Sequence, residues 1–291
     1  MGFRTIVVKN KCKLDLKMNY LVCRGDEETK VFIPEISYLV LESTAISLTT
    51  ALLCELTKNN VKVIFCDEKH NPHSELVGLY NNYINVGKIN KQLVWNDSTN
   101  AVVWQEIIKN KIYQQQLFLQ ELGFKVETEL LKGYLLEVCP NDETNREGHA
   151  AKVYFNAIFG NNFARRDESK INAALNYGYA ILLSCFNREV VKQGYLTQIG
   201  IWHKNDFNYF NLSCDIMEPF RILVDRIVYK MFFVDKVEIE NFKEQVLEIF
   251  NTQVIVGGKK QFFENAVAVY CQSVLDSLNN NDVSLIKFYE L

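Results

Sequence analysis

The sequence predicts an α+β protein, with a small β-rich N-terminal domain over residues 1–76 and a larger, nearly all-α domain over residues 77–291. From Arg4 to about Leu41 short β-rich runs recur, RTIVV, CKLDLKMNYLVC, KVFIP and YLVLES, broken by the polar GDEET at 25–29, in the manner of strands joined by turns. Beyond Val77 the apolar residues take helical spacing. A chain of 291 residues, 48% hydrophobic and 23% charged, has the composition of a globular protein and enough length for two cores.

The N-terminal runs predict a twisted antiparallel sheet whose short strands leave edges needing cover, as in a dimerisation domain. In SLTTALLCELTKNN, Leu48, Ala51, Leu52 and Leu56 mark a helix with Ser47 as its cap, and VKVIFCD follows as a buried strand. The segment DEKHNPHS then ends a unit of roughly 70 residues, near the lower size for independent folding. In the second domain, helices are predicted in AVVWQEIIKNKIYQQQLFLQEL, REGHAAKVYFNAIF, KINAALNYGYAILLSCFNREVVK, MEPFRILVDRIVYKMFF and VEIENFKEQVLEIF. Of 4 prolines only Pro140 and Pro219 lie there, so little interrupts these helices.

The longest apolar runs, such as Tyr179 to Leu183, fall far short of the roughly 20 residues of a membrane span, and MGFRTIVVKNKCK lacks the apolar centre of a signal peptide. A soluble cytoplasmic protein is expected. The 8 cysteines form no CxxC pair and most sit in apolar segments, which predicts reduced core thiols rather than zinc ligands. The net charge of -3 excludes a whole-protein basic field, so any nucleic-acid surface must be local.

The stretch LSCDIMEPFRILVD, Leu212 to Asp225, sets three acids and an arginine among apolar residues. Asp215, Glu218, Ile222 and Asp225 step along one helix face. One reading is a capping box of Asp215 and Glu218, with Pro219 in the first turn; the other is a site. His203 lies upstream in the Asn- and aromatic-rich connector GIWHKNDFNYFNL, as a hydrogen-bonded structural residue or as a side chain presented to a cleft. In REGHAAKVYFNAIF, Glu147 shares a face with Ala150, Ala151 and Tyr154. It reads either as an acid in a first turn capped by Asn141 or Asp142, or as an acid with room beside it for a ligand. In RRDESKINAALNYGYAIL, Arg165 and Arg166 precede an Asp167 cap, and Asn172 and Asn176 stack one turn apart. That arrangement suits a phosphate site or a solvated helix entrance. Two glutamates from different helices and one histidine suit a single hard cation, Mg2+ or Mn2+, better than zinc or iron.

Together, EG at 147–148, RRDESKINAALNYGYAIL, GYLTQIGIWHKNDFN and NLSCDIMEPFRILVD resemble the CRISPR-associated adaptation integrases of the Cas-one family, in the form found in Cas-nine-containing, type II systems. The resemblance covers essentially the whole chain. It implies Glu147, His203 and Glu218 as catalytic metal ligands, Asp215 as an accessory acid and Arg221 as a basic group near DNA phosphate. Arg165 and Arg166 are expected DNA contacts on local grounds alone. The resemblance further implies a homodimer that joins a Cas-two protein, with other type II adaptation proteins as further candidate partners. That assembly inserts short duplex DNA into a repeat array by 3′-hydroxyl transesterification. The different-class alternatives are a non-catalytic nucleic-acid scaffold and a general metal nuclease.

Overall fold

The structure is a computed structural model and describes Gly2 and residues 4–78, 86–235 and 242–291. The chain divides into two compact units, Met1–Asn82 and Tyr83–Leu291, the first β-rich and the second mostly helical.

The first unit holds two sheets instead of the single antiparallel sheet expected. In one, β1 (Arg4–Val8) and β7 (Lys62–Cys66) flank β5 (Ile36–Leu41) in parallel, and β8 (Pro72–Glu75) runs antiparallel to β7. All six residues of β5 are buried. A continuous apolar strand of that kind is covered on both faces, which places it between parallel neighbours. The other sheet comprises β4 (Glu28–Phe32), β3 (Tyr20–Arg24), β2 (Lys13–Lys17) and β6 (Ser47–Leu48) in that order. CKLDLKMNYLVC is thus a hairpin. Met18 and Asn19, at φ 49° and 65°, form the two-residue turn between Lys17 and Tyr20, in the left-handed pair of conformations that matches strand twist.

Two further local expectations are corrected. Ser47 does not cap α1 (Thr50–Lys58), because it is already paired with Lys13 in β6; Thr49 caps the helix by accepting from the Leu52 N–H. DEKHNPHS does not close the unit, since Pro72 to Glu75 form β8. Leu14, Leu21, Leu39, Leu52, Leu56 and Val63 fill the core of this unit.

The second unit begins with α2 (Val86–Leu93) and the long α3 (Asp97–Glu121), whose Trp104, Ile107, Ile108 and Ile112 are fully buried. Then come α4 (Lys125–Glu137), α5 (Arg146–Phe159) and α6 (Lys170–Lys192). Ser169 caps α6 in place of the expected Asp167. The predicted helix at MEPFRILVDRIVYKMFF is segmented. α7 (Asn211–Met217) passes through a 3-10 turn at Glu218–Phe220 into α8 (Arg221–Tyr229), which ends in a π turn. Pro219 explains the turn, because it has no N–H for a continuous helix and fits only at the start of a new one. The expected helix VEIENFKEQVLEIF is described only from Phe242, as α9 (Phe242–Val246) and a 3-10 turn; residues 237–241 lie outside the described residues.

This unit also contains a small sheet, with β9 (Gln253–Val256) between β10 (Lys259–Phe262) and β11 (Tyr289–Glu290), and a last helix, α10 (Phe263–Asn280). No helix among the described residues is long and apolar enough to cross a membrane. Gly178 on α6 sets a close approach to α8: a Cβ there would lie 2.3 Å from Val224 Cγ1. This approach brings Tyr179 over Arg221 and against Asp225.

Candidate functional site

Four segments of the helical unit bring charged groups together. The first turn of α5 carries Glu147, and its backbone is fixed from below: the Asp142 carboxylate accepts from the N–H groups of Arg146 and Glu147, both at 2.9 Å. Asp142 is therefore one of the two caps the sequence offered, and its role leaves the Glu147 side chain free of capping. Glu218 opens the 3-10 turn between α7 and α8 and is 4% exposed. Lys111 of α3 lies between the two glutamates, its Nζ 2.5 Å from Glu147 Oε1 and 2.5 Å from Glu218 Oε2. Arg221 holds the other oxygen of Glu218 at 2.9 Å.

The charges in this cluster sustain one another. Burial alone would push the Glu218 carboxyl upward, but the Arg221 and Lys111 cations outweigh it and hold the group below its ordinary range. Lys111 is the converse case: burial pulls it down, and the two glutamates more than restore it.

Asp215 does not form a capping box with Glu218. It lies in the second turn of α7, fully buried, and faces the connector. Its Oδ2 accepts from the N–H groups of Ile201 (2.6 Å) and Trp202 (2.9 Å), and its Oδ1 accepts from the His203 N–H (3.2 Å) and also meets His203 Nδ1. One carboxylate thus folds the connector and fixes the imidazole. Gly200 permits the approach, since a Cβ there would lie 2.8 Å from Asp215 Oδ2 and 2.5 Å from the His203 carbonyl. Trp202 lies edge-on to the His203 ring at 4.8 Å and stacks on the buried Trp104 at 5.0 Å. The hydrogen bond to Asp215 raises the His203 pKa; burial opposes the rise, and Asp215, Glu218 and Glu147 add to it through their charges.

With Nδ1 taken by Asp215, Nε2 is the ring nitrogen left for a ligand or a proton. Glu147 and Glu218 meet at one cation, and His203 lies within their field. Among the described residues, no three His, Cys, Asp or Glu side chains are gathered as a ready metal cage. The point between the two glutamates is occupied by the Lys111 ammonium.

The basic residues separate into different roles. Arg165 extends its guanidinium to Asn172 Oδ1 and, at 2.8 Å, to Asn176 Oδ1, and lies over the Tyr179 ring. The two stacked amides thus find an internal partner. Arg166 is exposed beside Lys170 at the start of α6, in an open cleft that Arg165 also lines.

Asp225, expected on one face with Asp215 and Glu218, belongs to a second buried group. Its carboxylate accepts from the Tyr179 hydroxyl; the Tyr154 hydroxyl lies beside it, and Arg221 and Arg165 act from further off. Burial dominates and pushes its pKa up to about 6. A carboxyl with a folded pKa above its unfolded value stabilises the fold at low pH and loses that contribution as pH rises through the folded value. Stability should therefore fall between about pH 4 and pH 6 through this group, by about 3 kcal/mol. Urea titrations of the wild type and Asp225→Asn across this window check it: the slope attributable to Asp225 should vanish in the variant.

Sequence reasoning passed over Lys111. The available signal was a lysine one turn beyond Ile107 and Ile108, on the apolar stripe of α3, where a charge needs a buried partner.

Comparison with known proteins identifies the family and the fold. The family model of the CRISPR associated protein Cas1 matches residues 5–254. The chain is 30% identical over 275 residues to the CRISPR-associated endonuclease Cas1 of Neisseria meningitidis serogroup C (strain 8013), covering 92% of this chain and 89% of that relative. Its fold is similar to that of a casposase bound to integration product, with a TM-score of 0.80 at 17% identity over 98% of this chain and 93% of that one. It is also similar to a chain of a Cas6-RT-Cas1–Cas2 complex, with a TM-score of 0.74 at 17% identity, matching 98% of this chain but 36% of that longer one. A family match over most of the chain, together with a relative of this identity and coverage, establishes that the protein belongs to the Cas1 family.

Proposed function

We propose that this chain is a divalent-metal-dependent DNA integrase of CRISPR adaptation, which joins the 3′-hydroxyl ends of short duplex DNA to a repeat array. The observation that carries the reading is the convergence of Glu147 and Glu218, from two separate helical segments, on a single cation position beside an aspartate-oriented histidine. Two carboxylate oxygens and an imidazole are a donor set that fits Mg2+ or Mn2+. Glu147, Glu218 and His203 would hold the ion. When bound, such an ion polarises a phosphodiester and helps to activate the attacking hydroxyl.

The chain's own residues do the rest. Asp215 fixes the His203 ring, and Arg221 keeps Glu218 ionised and in place. A cleft of about 350 Å³ lined by Gly200, His203, Lys204, Asn208 and Tyr209 gives a DNA end room beside the imidazole. One phosphodiester is exchanged for another, so the reaction needs no nucleotide energy source. The casposase likeness supports joining, and the name of the Neisseria relative, an endonuclease, supports strand cleavage. The likeness to a chain of a Cas6-RT-Cas1–Cas2 complex supports a Cas2 partner, which this chain would join as a homodimer.

Labelled duplex DNA and a repeat-bearing target, incubated with the protein and Cas2 in Mg2+ or Mn2+, should yield products longer than the labelled strand. EDTA should abolish them. Shortened products alone would indicate a nuclease, and metal-indifferent binding without a covalent product would indicate a scaffold.

Of the three arginines considered for the DNA path, Arg166 has its guanidinium on the surface, whereas Arg165 and Arg221 are held by internal partners. Arg166→Ala should therefore flatten the log–log dependence of duplex affinity on salt by about 0.9, the value of one lost phosphate contact. An unchanged slope in binding titrations at several salt concentrations removes Arg166 from the path.

A further inference from the structure

Lys111 holds a position that the proposed metal site requires. Its side chain is 12% exposed and emerges from the apolar stripe of α3, and its ammonium bonds Glu147 Oε1 and Glu218 Oε2 at 2.5 Å each. A small divalent ion held by these same oxygens would lie roughly 2.0–2.2 Å from each. An ion on the ammonium's side of the line between the oxygens would overlap it, and one on the far side would lie within about 4 Å of it, where like charges repel strongly. Lysine and metal therefore exclude one another.

Charge gives the same result. Glu147 and Glu218 are already balanced by Lys111 and Arg221. A dication added without any other change would leave an excess of positive charge in a region where Glu218 is nearly inaccessible to water. Relief comes if the ammonium leaves and finds another anion. Lysine, a point charge on a flexible four-carbon stem, can do so, and the anion that arrives with the substrate is a DNA phosphate.

We propose that Lys111 is a built-in competitor of the metal: it clamps Glu147 and Glu218 in the metal-free protein, gives up its place to the ion, and pairs with a DNA phosphate once displaced. This inference rests on the metal-dependent reading above. It makes Lys111 a positioning residue, and it couples two binding events, because a phosphate that draws the lysine away strengthens metal binding and the metal in turn strengthens DNA binding. The clamp also keeps two carboxylates together while the site waits for its ion.

The test measures Mn2+ affinity by titration calorimetry, with and without short duplex DNA, for the wild type, Lys111→Met and Glu147→Gln. Without DNA, Lys111→Met should bind Mn2+ about tenfold or more tightly than the wild type. DNA should raise the Mn2+ affinity of the wild type by a similar factor and that of Lys111→Met by much less. A variant that binds Mn2+ no better than the wild type overturns the inference, as does an equal gain from DNA in both proteins. If Lys111→Met is poorly folded without metal, melting replaces calorimetry: Mn2+ should raise its Tm more than that of the wild type, and an equal rise overturns the proposal. Glu147→Gln separates the two levels. Mn2+ binding that is lost in Glu147→Gln but indifferent to Lys111 sinks this inference alone, whereas Mn2+ binding absent both from the wild type with DNA and from Lys111→Met, or unaffected by Glu147→Gln, sinks the metal site as well.

Discussion

Glu218→Gln is expected to lower strand transfer by about 10²–10³-fold while leaving the fold and most DNA binding intact. Glu218 supplies an oxygen to the shared cation position and has both oxygens engaged by cations, Lys111 on one and Arg221 on the other. Glutamine keeps the volume and one acceptor oxygen but removes the charge that a divalent ion requires. Alanine is the poorer test, because it would leave two cations without a partner at a position 4% exposed, at a cost of about 3–5 kcal/mol. Single-turnover integration, circular-dichroism melting and duplex binding separate the effects. Integration at the wild-type rate would remove Glu218 from the site, and a variant that simply unfolds would return it to a structural role.

The second large effect is expected from Asp215→Asn, at about 10²-fold in activity or metal affinity, through orientation of His203. Asp215 accepts three backbone N–H groups of the connector and engages the imidazole. An amide replaces one acceptor with a donor, which must then face an N–H group or the ring nitrogen. The connector should loosen and His203 should lose its fixed tautomer. A distinguishing readout is the titration of His203 followed by NMR: the bond to Asp215 raises its pKa in the wild type, so the midpoint should move down in Asp215→Asn. An unmoved midpoint with lost activity would mean that Asp215 acts through the fold alone.

Much of this protein could be read along the chain. Periodicity located α1, α3, α5 and α6 because an amphipathic helix writes its buried face into the sequence at every third or fourth residue. The shift from alternating to helical texture placed a β-rich unit before a helical one. The ordered motifs around Glu147, His203 and Glu218 indicated the family, and the residue types motivated the proposal of a hard cation. Each of these properties is local, or is the sum of local ones.

What the tertiary structure alone decided concerns partners distant in sequence. Whether YLVL paired parallel or antiparallel depended on strands β1 and β7, not on its own composition. Asp215 had the spacing of a cap, yet its buried carboxylate turned to the 201–203 connector, whose three N–H groups converge on it and satisfy it. Arg165, in sequence either part of a phosphate site or of a solvated helix entrance, bonds Asn172 and Asn176 while lining the cleft before α6. Lys111, 36 residues before Glu147 and 107 before Glu218, carried no motif at all. A sequence specifies which charges exist and which helix face carries them; which charges meet depends on how the helices pack, and a buried charge takes the partner that packing brings within reach.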